Sequence, residues 1–129
     1  MDTLKRATES ISRELRQELR DEDRRQEVAR SLLTGNPSIE ELRGIVYFVP
    51  EEREEASRLL LDRDASLSSL LLVVCCAEGS IASKALGLIQ PSSVTHEQRQ
   101  MVLFHCFPEL KDAVTSVLPL QENAQEAIS

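Results

Sequence analysis

The residues of this chain best suited to covalent or metal chemistry are its three cysteines and two histidines. Cys75 and Cys76 are adjacent in the most apolar stretch, Leu70 to Ala77, and Cys106 follows His105 in a second apolar segment. A Cys–His nucleophile pair needs a thiol that is partly exposed and held in an electropositive setting. Apolar neighbours oppose that, and in a reducing compartment such free cysteines serve as small hydrophobes. A zinc site needs convergent ligands, yet the chain has no Cys-x-x-Cys and no spaced His pair. Three cysteines also cannot pair completely, which argues against a secreted disulfide framework.

His96 falls at a predicted helix start, where the dipole disfavours its charged form. The carboxylate pairs Glu51-Glu52 and Glu54-Glu55 lie on one predicted helix, whereas acid–base catalysis needs carboxylates held across a cleft in distinct environments. Only four glycines are present and none forms a phosphate-binding loop; Gly35, Gly79 and Gly87 sit where helix ends or close helix contacts are expected. These residues point away from an enzyme, and neither a metal nor a cofactor is expected.

The elements that would position these side chains follow from composition and periodicity. The chain has 129 residues, the length of one domain, with 41% hydrophobic and 29% charged residues, a globular balance. It has no Trp, one Tyr and three Phe, so the core must be aliphatic. Its longest apolar run is too short to span a bilayer, and no secretory leader pattern is present, so the expected compartment is the cytoplasm. Fifteen basic against twenty-two acidic residues give a net charge of −7, the wrong sign for a protein that neutralises phosphates. Nucleic acid and membrane are therefore not expected partners. The charge is uneven, with 12 basic and 16 acidic residues in positions 1–64 against 3 and 6 in positions 65–129. Surface is being hidden in the second half.

The sequence repeats. Val28 to Val49 re-aligns on Ala56 to Ala77 at an offset of 28, pairing Leu32 with Leu60, Asn36 with Asp64, Ser38 with Ser66, Leu42 with Leu70 and Val46 with Val74. A second correspondence, at an offset of 58, joins Val49-Pro50-Glu51 to Phe107-Pro108-Glu109 and Leu60 to Leu118. Each unit reads as two helices. Ile39, Leu42, Ile45, Val46 and Val49 recur at helical spacing behind a Ser38-x-x-Glu41 capping box, and Pro50 stops that helix and opens the next. The partner helix, about Glu51 to Leu61, is expected to bury Ala56, Leu59 and Leu60 and to expose Glu51, Glu52, Glu54, Glu55 and Arg58. Val102, Leu103, Phe104 and Phe107-Pro108, after a box at Thr95 and Gln98, are expected to repeat the plan. Leu67 to Ala77 is apolar nearly all round and predicts the centre of the core. Residues 2–20 predict a charged capping helix with a thin stripe of Leu4, Ala7, Ile11, Leu15 and Leu19. Residues 119–129 predict a polar, frayed tail.

At these residues the pattern resembles the HEAT and armadillo class of α-helical hairpin repeats, with a short unit of about 28 to 30 residues. It is nearest the HEAT-like repeats of the phycobilisome lyase group, with Ile81 to Gly87 the closest local likeness. The resemblance covers about residues 25–118 of a single domain spanning 1–118. It implies a right-handed α-solenoid and a binding scaffold, and it carries no lyase-specific pattern. Stacked hairpins expose a broad face of second helices rather than a deep pocket. The candidate interaction residues on that face are Glu51, Glu52, Glu54, Glu55, Arg58, Lys84, Glu109, Lys111 and Asp112, with Tyr47 as the aromatic contact. The expected role is that of a non-enzymatic adaptor or regulatory subunit for a protein partner with a basic surface. A self-associating homodimer and a death-fold-like signalling module are the alternatives.

Overall fold

A computed structural model describes residues 11–119. Among them are eight α-helices and no strand: α1 (Arg13–Arg20), α2 (Arg25–Thr34), α3 (Ile39–Phe48), α4 (Arg53–Arg63), α5 (Leu67–Cys76), α6 (Gly79–Leu88), α7 (His96–His105) and α8 (Lys111–Val117). The all-α expectation is met.

Local chemistry sets the helix starts. Each odd-numbered helix begins behind a Ser or Thr whose hydroxyl accepts a backbone N–H three residues on: Ser12, Ser38, Ser66 and Thr95. Ser38 with Glu41 and Thr95 with Gln98 form complete capping boxes. The four caps are spaced 26, 28 and 29 residues apart, close to the period in the sequence. Pro50 and Pro108 each open a short 3₁₀ turn, Pro50–Glu52 and Pro108–Leu110, that leads into α4 and α8. The partner helix expected at Glu51 to Leu61 is therefore this 3₁₀ turn followed by α4, which runs on to Arg63.

Packing follows chain order. The most extensive contacts are within the pairs α3/α4 and α5/α6. In addition α1 packs on α3, α3 on α5 and α5 on α7, while α4 packs on α6 and α6 on α8. The core is aliphatic and centres on α5, where Ser69, Leu70, Leu71, Leu72, Val73, Val74 and Cys75 are all buried, as its all-round apolar sequence predicts.

Three expectations need correction. The charged helix expected over 2–20 begins, among the described residues, at Arg13, because Ser12 adopts extended backbone and caps it. Ile11 and Leu19 are buried as expected, while Leu4 and Ala7 lie outside the described residues, as does most of the tail. The plan of the last unit is only partly apolar, since Val102 is buried but Phe104 is 80% exposed. Leu59 is half-exposed and its neighbour Leu61 is buried instead.

A glycine inside α3 has a packing reason. A Cβ on Gly44 would meet Leu19 Cδ1 at 3.0 Å and Ile11 Cδ1 at 3.2 Å, so α1 crosses α3 where a side chain is missing. The helix-propensity cost of an internal glycine, ~1 kcal/mol, is offset by this close approach. Of the glycines expected at helix ends or contacts, Gly35 caps α2 and Gly79 opens α6 with φ +69°, whereas Gly87 lies within α6 facing open space.

Candidate functional site

The turns inside three successive helix pairs come together. Pro50, Glu51, Arg53 and Glu54 from the α3/α4 turn, Cys76, Ala77, Glu78 and Ile81 from the α5/α6 turn, and Phe107 from the α7/α8 turn line a partly open cleft of about 290 Å³. Its wall is apolar where Cys76, Ala77, Ile81 and Phe107 meet. Its rim is acidic.

Each of these groups is placed by the fold. Arg53 is the first residue of α4 and folds back, donating from Nε to the Val46 carbonyl at 2.6 Å and from Nη2 to the Tyr47 carbonyl at 3.3 Å. Its positive charge thus satisfies the C-terminal carbonyls of α3, where the helix dipole is negative. Glu78 is the residue before α6; it adopts extended backbone and its side chain makes no cap hydrogen bond. Glu54 is exposed on α4, with Arg58 at 3.8 Å.

The candidate interaction residues separate into groups. Glu51 and Glu52 are engaged by the preceding pair: Arg25 donates from Nη2 and Nε to Glu51 at 2.8 and 3.1 Å, while Gln26 and Arg30 donate to Glu52 at 3.2 and 3.1 Å. The Arg25 hydrogen bond is the main reason that the Glu51 carboxyl is held below its ordinary value. Glu52 is half-buried rather than exposed, which corrects the sequence expectation. The physical reason is the 3₁₀ turn at Pro50, which lies against α2. Glu55 and Glu54 flank Arg58 in pairs along α4. Lys84, Glu109, Lys111 and Asp112 are exposed on α6 and at the start of α8. Tyr47 is half-buried, edge-on to Phe48 with ring centroids 4.8 Å apart. Of all these, only Glu51 and Glu54 line the cleft.

Sequence reasoning missed Arg53, Glu78, Ile81 and Phe107 as members of one site. Pro50 and Phe107-Pro108 were legible as equivalent turns, and that equivalence was the available signal.

Burial disfavours the thiolate at two of the cysteines. Burial pushes Cys76 up to about 11, with Arg53 pulling weakly the other way, so the neutral thiol prevails at neutral pH. Burial also raises Cys106, which is the residue capping α7 rather than a member of that helix. Among the described residues no group of three or more His, Cys, Asp or Glu could hold a metal ion, and no helix is long and apolar enough to cross a membrane. Comparison with protein-family models, curated proteins and solved structures finds no match for the chain.

Proposed function

We propose that this protein is a non-enzymatic binding scaffold, a short HEAT-like right-handed α-solenoid that serves as an adaptor or regulatory subunit in a reducing compartment such as the cytoplasm. The observation that carries this reading is the cleft made by three consecutive turns, because a surface assembled from equivalent positions of successive units is the kind that helical-repeat proteins use for partners. The recurring caps, the packing of α1 on α3, α3 on α5, α5 on α7, α4 on α6 and α6 on α8, and the exposed charge on α4 and α6 support it. The raised thiols and the size of the cleft weigh against catalysis. Small-molecule sites usually offer about 300–1,000 Å³, and this cleft, at about 290 Å³, falls just below that range.

Site-specific photo-crosslinking tests the reading. A photoreactive residue at Glu54 or Glu109 should give a discrete protein adduct in cell extract, while the same group at Ser68 on α5 gives none. Equal labelling from both surfaces, or none from either, overturns it.

A further inference from the structure

The cleft favours one class of occupant. Its rim holds three carboxylates, Glu51, Glu54 and Glu78, against the single guanidinium of Arg53. The Arg53 charge is already directed at the Val46 and Tyr47 carbonyls, and Glu51 is already matched by Arg25. Glu54 and Glu78 remain, one 78% exposed with a guanidinium no nearer than 3.8 Å, the other exposed with no bond to its side chain among the described residues. The field over the cleft is therefore negative, and it reinforces the net charge of −7.

Beneath that rim lies an apolar wall. Ile81 and Ala77 are buried, Cys76 and Phe107 half-buried. Phe107 is one of only four aromatic residues in the chain, and aromatic rings are enriched where interfaces gain their energy. A volume of about 290 Å³ holds a large side chain with its flanking backbone, not an extended ligand. The thiol wall adds no charge, since Cys76 stays protonated at neutral pH.

We propose that this cleft anchors a basic, aliphatic segment of a partner protein, with a Leu- or Ile-type side chain against Ile81 and Phe107 and a neighbouring Lys or Arg facing Glu54 and Glu78. The inference rests on the scaffold reading and names the partner's chemistry. The carboxylates supply orientation and a salt-dependent association rate, and the apolar wall supplies the dwell time. An anionic occupant is opposed by the rim. A small metabolite would leave the charge unused.

Fluorescence anisotropy of the whole chain with labelled octapeptides tests it. One peptide carries Leu between Lys residues, a second replaces each Lys by Glu, and a third keeps Lys but replaces Leu by Ser. The Lys–Leu peptide should bind, weaken as salt rises, and exceed both others by about tenfold. The double variant Glu54→Lys/Glu78→Lys should lose about tenfold, whereas Glu40→Lys/Glu97→Lys, which changes net charge equally at the far ends of α3 and α7, should bind as the parent does. Both doubles alter exposed residues, and an unchanged thermal melt confirms their folding. Phe107→Ala should weaken binding without removing its salt dependence.

Equal binding of the Glu–Leu peptide, or equal loss in both doubles, overturns the proposal. So does a concentration-dependent dimer in which Glu54→Lys/Glu78→Lys abolishes self-association, because the cleft then serves a second copy. If no peptide binds yet crosslinking from Glu54 succeeds, the basic anchor is wrong and the scaffold stands. If both fail, the scaffold reading falls as well.

Discussion

The first and second helix pairs meet through a cluster of ion pairs laid over the buried Ile11, Leu19 and Ala29, whereas the second and third meet mainly through aliphatic burial. At the first joint Arg25 and Arg30 reach Glu51 and Glu52, Gln26 adds a hydrogen bond, and Arg20 lies over the Phe48 ring at 5.6 Å. At the second joint α5 is buried almost all round, and Leu71, Leu72, Val73 and Val74 are wholly inaccessible. One polar knot accompanies it. Arg43 of α3 donates to Asp64 at 3.0 Å and to Ser69 at 3.1 Å, and Ser69 donates to Asp64 at 2.7 Å. Exposed ion pairs contribute little and are screened by salt, while buried apolar area is neither. The difference teaches that the joint to the N-terminal pair should respond more to salt than the second joint does.

The strongest attack on this comparison is a cavity at the second joint. Leu72→Ala should cost about 2–5 kcal/mol, read as a fall in the urea midpoint with little salt dependence. Removing the knot comes next. Arg43→Ala should cost about 1.5–3 kcal/mol, because hydrogen bonds to charged partners are lost and Asp64 is left half-buried without its cation. Gly44→Leu should cost about 1–3 kcal/mol by forcing α1 off α3, and amide hydrogen exchange should then rise in α1 before α5.

Acid probes the same contrast. Burial pushes the Asp64 carboxyl up, but hydrogen bonds from Ser69 and Ser66 and the charge of Arg43 outweigh it and hold the group below its ordinary 3.8. A carboxyl depressed in the folded state stabilises above its unfolded value. That contribution is lost as pH falls from about 3.8 through the lower folded value. Asp64→Asn should accordingly flatten the acid dependence of the melting temperature below pH 4. The smallest effect belongs to the first joint: Glu51→Gln should lower stability slightly in dilute buffer and not at all in 0.5 M salt, measured as melting temperature. A large, salt-independent loss there would erase the distinction between the joints.

Much of the fold was legible because helix signals are local. Ser38-x-x-Glu41, Thr95 with Gln98, and Pro50 each act within one turn, so their caps and stops could be read directly. Ser12 escaped because the apolar spacing of Leu4, Ala7, Ile11 and Leu15 reads as one continuous helix across it. Phe104 misled because helical spacing places it near Val102 and Leu103 without stating which flank meets a neighbour. The site was less legible. Glu51 and Glu54 looked alike as exposed charges, yet Arg25, 26 residues earlier, claims one of them and the cleft receives the other.

By itself the sequence determined an aliphatic core and, over the described residues, helices with their caps and stops, because propensity, capping and periodicity act over short separations. Tertiary structure alone decided which carboxylates join one helix pair to the next, why α3 needs Gly44, and which turns form a cleft. Those outcomes depend on side chains tens of residues apart arriving within a few ångströms, and no local pattern encodes such distances.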